Sequence, residues 1–294
     1  MKKVIFRGLG TALITPHRGG EVDYPALRHL IERQIAAGTE AIVIGGTTGE
    51  AATLTDGERY ELFRVSRDAV AGRAALIFGT GTNDTKSAVR HTEKAERIGC
   101  DGVLVVTPYY NKGTREGVLR HYEKISECTN LPIILYNVPS RTGVDLDVEQ
   151  VARLAERDNI VAIKEASGKP DRLREISELR GVSLYAGNDA DTLRVAELGG
   201  CGVISVLSNL YPVAMRRLTA LALSGEGTGA EAELSRLSRV MSAMFLETNP
   251  APLKYALSRL GLITGEMRLP MCEVGEATER AVAEAMDELA EGEN

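Results

Sequence analysis

The stretch IVAIKEASGKP, Ile160 to Pro170, decides how the rest of the chain is read. Four apolar residues, Ile160 to Ile163, lead directly into Lys164 and Glu165. An unbroken apolar run rich in β-branched residues reads as a strand covered on both faces, the form found in parallel sheets. An ammonium group at the end of such a strand must open onto something polar.

Working outward, similar runs recur at intervals of roughly 20 to 33 residues, a spacing suited to βα units. They are GTALITP from Gly10, AIVIGG from Ala41, AALIFGTG from Ala74 and GVLVVTP from Gly102. PIILYNVP from Pro132, IVAIKEA from Ile160, VSLYAGN from Val182 and GVISVLS from Gly202 complete a set of eight. Amphipathic helical segments lie between them. Thr55 with Glu58, and Asp147 with Gln150, have capping-box spacing. Pro25 suits the first turn of a helix, and Gly38, Gly72, Gly99 and Gly181 are read as helix terminators. Eight alternations imply a (β/α)₈ barrel; a doubly wound open sheet is the alternative, but it usually has fewer strands. Tyr211 to Ser224 reads as the eighth helix. AEAELSRLSRVMSAMFLE, PLKYALSRLGL and ATERAVAEAMDELAEG then follow with no strand between them. We therefore expect a barrel over residues 1–224 and a helical extension over residues 225–294.

The 294 residues carry a net charge of -6, with Lys and Arg interleaved among acids, which argues against nucleic acid as a partner. No apolar run approaches the ~18 residues of a membrane helix. Lys2 and Lys3 resemble the start of a leader, but Arg7 and Gly8 interrupt the apolar segment, so no export signal is expected. Cys100, Cys128, Cys201 and Cys272 lie far apart without a CxxC pair, which points away from zinc and disulfides and toward a reducing cytoplasm.

In a (β/α)₈ barrel the chemistry sits at the C-terminal ends of the strands. Those ends read GGTTGE, GTGTND, TPYYNKG, YNVPSRTG, KEA, AGND and ISVLSN from the second strand to the eighth. They are rich in hydroxyls and poor in metal ligands, so no metal is expected. GTGTND lacks the third glycine of a dinucleotide fingerprint and reads as a turn before a helix. Lys164 is the only lysine at a strand end. A buried amine loses hydration and favours its neutral, nucleophilic form, which can form a Schiff base with a carbonyl. Alternatively, the side chain snorkels outward or pairs with Glu165. Position alone leaves both readings open. Tyr110, Tyr136, Thr47 and Thr48 would face the same mouth, where hydroxyls can move protons in the absence of histidine. Each could equally be a packing or capping residue. Arg141 offers a planar fork suited to a substrate carboxylate, or to a salt bridge with a neighbouring loop.

GGTTGEAATL, TPYYNK, YNVPSRTG, IKEASG and GVISV, taken in order, resemble the signatures of the dihydrodipicolinate synthase family of class I aldolases, related to N-acetylneuraminate lyase. The resemblance implies that Lys164 forms a Schiff base with pyruvate and that Tyr136 donates and accepts protons. It implies a relay through Thr47 and Tyr110, with Tyr110 supplied by the neighbouring subunit of a tight dimer. Thr48 and the backbone around Ile204 would hold pyruvate, and Arg141 would receive the carboxylate of L-aspartate 4-semialdehyde. It further implies a step toward diaminopimelate and lysine, no cofactor, a cytoplasmic location and a homotetramer built as a dimer of dimers. The alternative within the same chemistry is another pyruvate-dependent aldolase or dehydratase, acting on a sialic or 2-keto-3-deoxy sugar acid. The SRTG loop speaks against it, because a polyol tail needs hydroxyl-binding groups rather than a cation. The resemblance has one departure. Ser87 stands where lysine-inhibited relatives carry an acid, and Asp56 and Arg59 stand where they tend to have histidines, although Asn83 and Tyr109 are kept. Feedback inhibition by lysine is therefore expected to be weak or absent. Glu165 is expected to turn away from the amine, because a close carboxylate would hold the lysine charged.

Overall fold

The computed structural model describes Lys2 and residues 4–291. Met1, Lys3 and residues 292–294 lie outside it, and with them half of the leader-like lysine pair and the last three residues of the expected extension. Eight strands, all parallel, run β1 Gly8–Ala12, β2 Ala41–Ile44, β3 Ala75–Gly79, β4 Gly102–Val106, β5 Ile133–Asn137, β6 Ile160–Glu165, β7 Ser183–Ala186 and β8 Gly202–Ser205. Each pairs with the next, and β8 pairs back onto β1 through Gly8↔Gly202 to Thr11↔Ser205, so the sheet is a closed barrel. Closure leaves no unpaired edge. A two-residue hairpin, His17–Arg18 against Glu21–Val22, stands apart from it.

The apolar runs are strands because alternate side chains fill two different cores. Inward residues such as Ala41, Val43, Ile77, Leu104, Ile134, Ala162, Tyr185 and Ile204 form one cluster inside the barrel. Outward residues such as Ile42, Ile44, Phe78, Val103, Val105, Leu135 and Ile163 form a second with the helices. Closure demands a small residue at one seam: a Cβ on Gly202 would lie 1.9 Å from the Gly8 carbonyl oxygen, and its φ is +133°.

Helices follow the strands in turn. α1 Tyr24–Ala36, α2 Asp56–Val70, α3 Thr85–Ile98 and α4 Arg115–Glu127 come first. α5 Pro139–Thr142, α6 Val148–Leu154, α7 Pro170–Ser177, α8 Thr192–Glu197 and α9 Pro212–Ser224 complete the wall. Both expected capping boxes form, at Thr55–Glu58 before α2 and at Asp147–Gln150 before α6. GTGTND is a turn whose Asp84 caps α3. Gly181 does not end a helix. α7 stops at Ser177, and Gly181, at φ +81°, instead turns the loop into β7. Beyond Ser177 the chain leaves the helix, with Glu178 and Arg180 in turns and the Leu179 N–H bonded back to the Ile176 carbonyl at 3.0 Å.

After β8, α10 Gly227–Ala243, α11 Ala251–Arg259 and α12 Glu276–Glu291 follow with no strand between them among the described residues. At the opposite end of the barrel, Phe6 stacks on Tyr185 at 4.5 Å and plugs the floor. The Lys2 ammonium donates to the carbonyls of Ala155, Arg157 and Ile160.

Candidate active site

Strand period places the central side chain of the site. Ala162 and Lys164 point inward on β6, and Ile163 and Glu165 outward. The Lys164 Cα pairs with Tyr136 on β5 and Tyr185 on β7, so its stem rises between two aromatic residues. Lys164 is 4% exposed. Its Nζ stands over the face of the Tyr136 ring, 4.5 Å from the centroid. That position suits a cation, because the ring face is electron-rich. The snorkelling alternative is excluded by this burial.

Glu165 has separate partners on the outer face. Its carboxylate accepts from Asn137 Nδ2 at 3.0 Å and from the Ser167 backbone N–H at 2.6 Å. Burial pushes its pKa above the ordinary range, and these bonds oppose that push. Asn137 Oδ1 accepts from Leu146 N–H at 3.0 Å. Glu165 thus ties the loop after β6 to the loop beyond α5.

A cavity of about 790 Å³ opens at the C-terminal mouth, lined among others by Thr47, Tyr110, Tyr136 and Arg141. These four of the expected residues therefore share one wall. Lys164, Thr48 and Ile204 are not part of that lining. Lys164 lies beside Tyr136, whereas Thr48 and Ile204 are buried at 3% and 0% exposure. Any part Ile204 plays at the mouth must come from its backbone, since its side chain fills the barrel core. Tyr110 has a positive φ of 73° and is 87% exposed, an unusually uncovered aromatic residue.

The helical extension contributes groups the sequence reading missed. Asn249 Nδ2 donates to Thr48 Oγ1 at 3.0 Å, and Arg141 Nη2 donates to the Asn249 carbonyl at 2.9 Å. One residue of the extension therefore braces two residues of the mouth. Glu50, held at φ 51°, forms a buried ion pair with Lys254 of α11. The Lys254 ammonium also contacts His17 Nδ1 at 3.1 Å and donates to the Glu266 carbonyl at 2.9 Å. Burial lowers the pKa of Lys254, and the Glu50 carboxylate opposes that shift. Burial, then Lys254, brings the His17 pKa down to about 4, so its ring is neutral at neutral pH. A pair of this kind holds only while both partners are present, since either charge alone would be buried without compensation. Glu50 was visible in GGTTGE as a strand-end residue. Asn249 and Lys254 gave no local signal of a site: Asn249 lies in the turn before α11 and Lys254 within α11, both far along the chain from the residues they reach.

Thr107 Oγ1 donates to Thr142 Oγ1 at 3.0 Å, and Tyr110 N–H reaches the Thr142 carbonyl at 3.3 Å, so the loops after β4 and β5 are tied together. At the start of α2, Arg59 is buried and donates to the Ala51 carbonyl at 2.7 Å, and Asp56 pairs with Arg90. Ser87 N–H is used by the Asp84 cap. Among the described residues no cluster of three or more His, Cys, Asp or Glu could hold a metal ion. All four cysteines are free, and no described helix is long and apolar enough to cross a membrane.

Comparison with known proteins extends this geometry. The sequence profile of the dihydrodipicolinate synthetase family matches residues 5–289. The 4-hydroxy-tetrahydrodipicolinate synthase of Clostridium novyi is 41% identical over 96% of both chains. That of Anaeromyxobacter dehalogenans is 46% identical over 95% of this chain and 96% of its own. The crystal structure of dihydrodipicolinate synthase from Thermotoga maritima superimposes with a TM-score of 0.95 at 40% identity, covering 98% of this chain and 99% of that one.

Proposed function

This chain belongs to the dihydrodipicolinate synthetase family, and from that premise we propose that it is a 4-hydroxy-tetrahydrodipicolinate synthase. It condenses pyruvate with L-aspartate 4-semialdehyde. The observation that carries the chemistry is the buried Lys164, whose Nζ lies against Tyr136, one of the tyrosines lining the mouth cavity.

The Lys164 amine attacks C2 of pyruvate, and loss of water leaves an iminium. The methyl carbon then gives up a proton; the C–H electron pair becomes the C=C bond of an enamine, and the C=N π pair returns to the nitrogen. The enamine carbon bonds to the aldehyde carbon, whose oxygen takes up a proton. The amino group brought in by the semialdehyde finally displaces Lys164 from C2 and closes a six-membered ring. Tyr136 holds and returns the proton at its hydroxyl, with Thr47 and Tyr110 as the path outward. Thr48 and the Ile204 backbone hold the pyruvate carboxylate. No metal or organic cofactor enters these steps.

Tyr110 supports an oligomer. A tyrosine 87% exposed on its own chain gains cover if a second copy packs there, and we propose that it completes the neighbouring copy's relay in a dimer that pairs into a tetramer. The reaction consumes two small oxo acids and belongs to amino-acid biosynthesis in the cytoplasm.

Two readings of substrate are separable. With pyruvate present, L-aspartate 4-semialdehyde should be consumed and N-acetylmannosamine should not; the reverse pattern would assign the chain to sugar-acid aldolases. Arg141 gives a sharper test. Arg141→Ala should raise the KM for the semialdehyde by roughly 10- to 100-fold, the scale of one charge-assisted bidentate contact. Imine trapping with pyruvate should change little. Equal loss in both assays would reduce Arg141 to its bond with Asn249.

Lysine should inhibit poorly. Ser87 brings no carboxylate of its own where lysine-inhibited relatives carry an acid, so one counter-charge for an ammonium group of lysine is missing. Initial rates should hold in submillimolar lysine; inhibition at that level would refute this reading.

A further inference from the structure

Asp189 is a buried carboxylate that the reaction as written does not use. It opens a short 3₁₀ turn, Asp189–Asp191, just after β7, and is 3% exposed. Its Oδ2 accepts from the backbone N–H groups of Leu207 at 2.9 Å and Val206 at 3.2 Å, immediately after β8. The Ser205 hydroxyl stands beside the carboxylate. The other oxygen, Oδ1, is buried and finds no hydrogen-bond partner. An orphan carboxylate oxygen in a barrel wall is strongly disfavoured unless a positive charge compensates it.

The sheet supplies such a charge. β7 lies between β6 and β8, with Lys164 opposite Tyr185 on one side and Gly202 opposite Tyr185 on the other. The turn carrying Asp189 therefore leaves the sheet next to the strand end that carries Lys164. Burial pushes the Asp189 pKa up; the Ser205 hydroxyl opposes that push first, then the Leu207 and Val206 N–H groups, and last the Lys164 charge through space.

Resting on the Schiff-base reading of Lys164, we propose that Asp189 is the counter-charge of the iminium. One oxygen positions the Val206–Leu207 backbone, and the other faces the positive charge on the nitrogen. A neutral amine, a ketone and one proton give an iminium and water, so the step creates a cation where an amine stood. The charge disappears when the methyl proton leaves and the enamine forms, and it returns after the carbon–carbon bond is made. A fixed carboxylate beside the nitrogen stabilises both cationic stages without itself forming or breaking a bond. Asp189 is thus a positioning residue, distinct from the groups that touch substrate.

Asp189→Asn tests this, because it keeps the shape and an oxygen for the two N–H groups but removes the charge. Wild-type enzyme with pyruvate and borohydride comes first. If no lactyl adduct forms, the reading of Lys164 fails, and with it the premise. If it forms, trapping is compared at a pH where its rate no longer rises in either protein, so that the amine is neutral in both; there Asp189→Asn with an unchanged melting temperature should trap at least about tenfold more slowly, the lower end of what one nearby opposite charge contributes to an ionised group. Unchanged trapping would overturn the proposal. A readout on the wild-type protein guards against a variant that does not fold. With ¹³C at its aspartate carboxyls, the pyruvate complex should show no protonated aspartic acid band in the infrared. Glu165 is silent in that label, and the buried Asp23 is held ionised by the Ala26 N–H and Arg18. A protonated band that persists in the complex would overturn the proposal whatever the variant does.

Discussion

Lys164→Ala is expected to abolish condensation, with a fall of at least about 10⁴-fold, the scale seen when a covalent nucleophile is removed. It should also abolish the mass gain that pyruvate and borohydride leave on the wild-type chain. The expectation rests on placement. Lys164 is the lysine of a strand end, it is 4% exposed, and its Nζ lies 4.5 Å from the Tyr136 ring centroid. The barrel should survive the change, because Ile160, Ala162 and Ile163 supply the apolar packing of β6 and alanine leaves the backbone ladder intact. Mass spectrometry of the trapped peptide is the direct check. A lactyl adduct on Lys164→Ala would mean that a different amine carries the reaction.

Tyr136→Phe should lower kcat by roughly 10²- to 10⁴-fold, the usual contribution of a positioned general acid–base. The ring stays, and so does its packing at 7% exposure, so the melting temperature should be nearly unchanged. The loss should appear as slow formation of the trapped adduct as well as slow turnover, since the same hydroxyl serves dehydration and carbon–carbon bond formation. Single-turnover trapping against time measures the first, and a coupled assay the second. A variant within tenfold of wild type in both would leave the proton with Thr47, Tyr110 or water. Tyr110→Phe is the natural companion, because its effect should depend on the copy beside it.

Much of the architecture was legible because β-branched runs and helix caps are local signals. GVLVVTP and PIILYNVP cannot hide their faces in an antiparallel, half-exposed sheet, and the Thr55 and Asp147 capping boxes need only three residues to close. Gly181 was misread for the same local reason: a glycine at positive φ serves a loop as well as a helix end. In the site, strand-end residues such as Lys164, Tyr136, Thr47 and Arg141 could be picked out because barrel topology restricts where chemistry can sit. Asn249 and Lys254 could not. They lie in the turn before α11 and in α11 itself, and their importance comes from partners some 200 residues earlier, Thr48 and Glu50. Asp189 was in view at the end of AGND but had no evident task until its neighbours were known.

By itself the sequence determined the order of elements and which strand ends carry the candidate groups, Lys164 among them. It did so because period, caps and turn residues act over a few positions along the chain. Only the tertiary structure decided which way Lys164 points, that Glu165 is taken by Asn137 and Ser167, and that Asn249 and Lys254 brace the mouth. It also decided that one oxygen of Asp189 is left without a hydrogen bond. These depend on burial and on contacts between residues distant in sequence. Desolvation and opposite charge exert their force only once the barrel has closed around them.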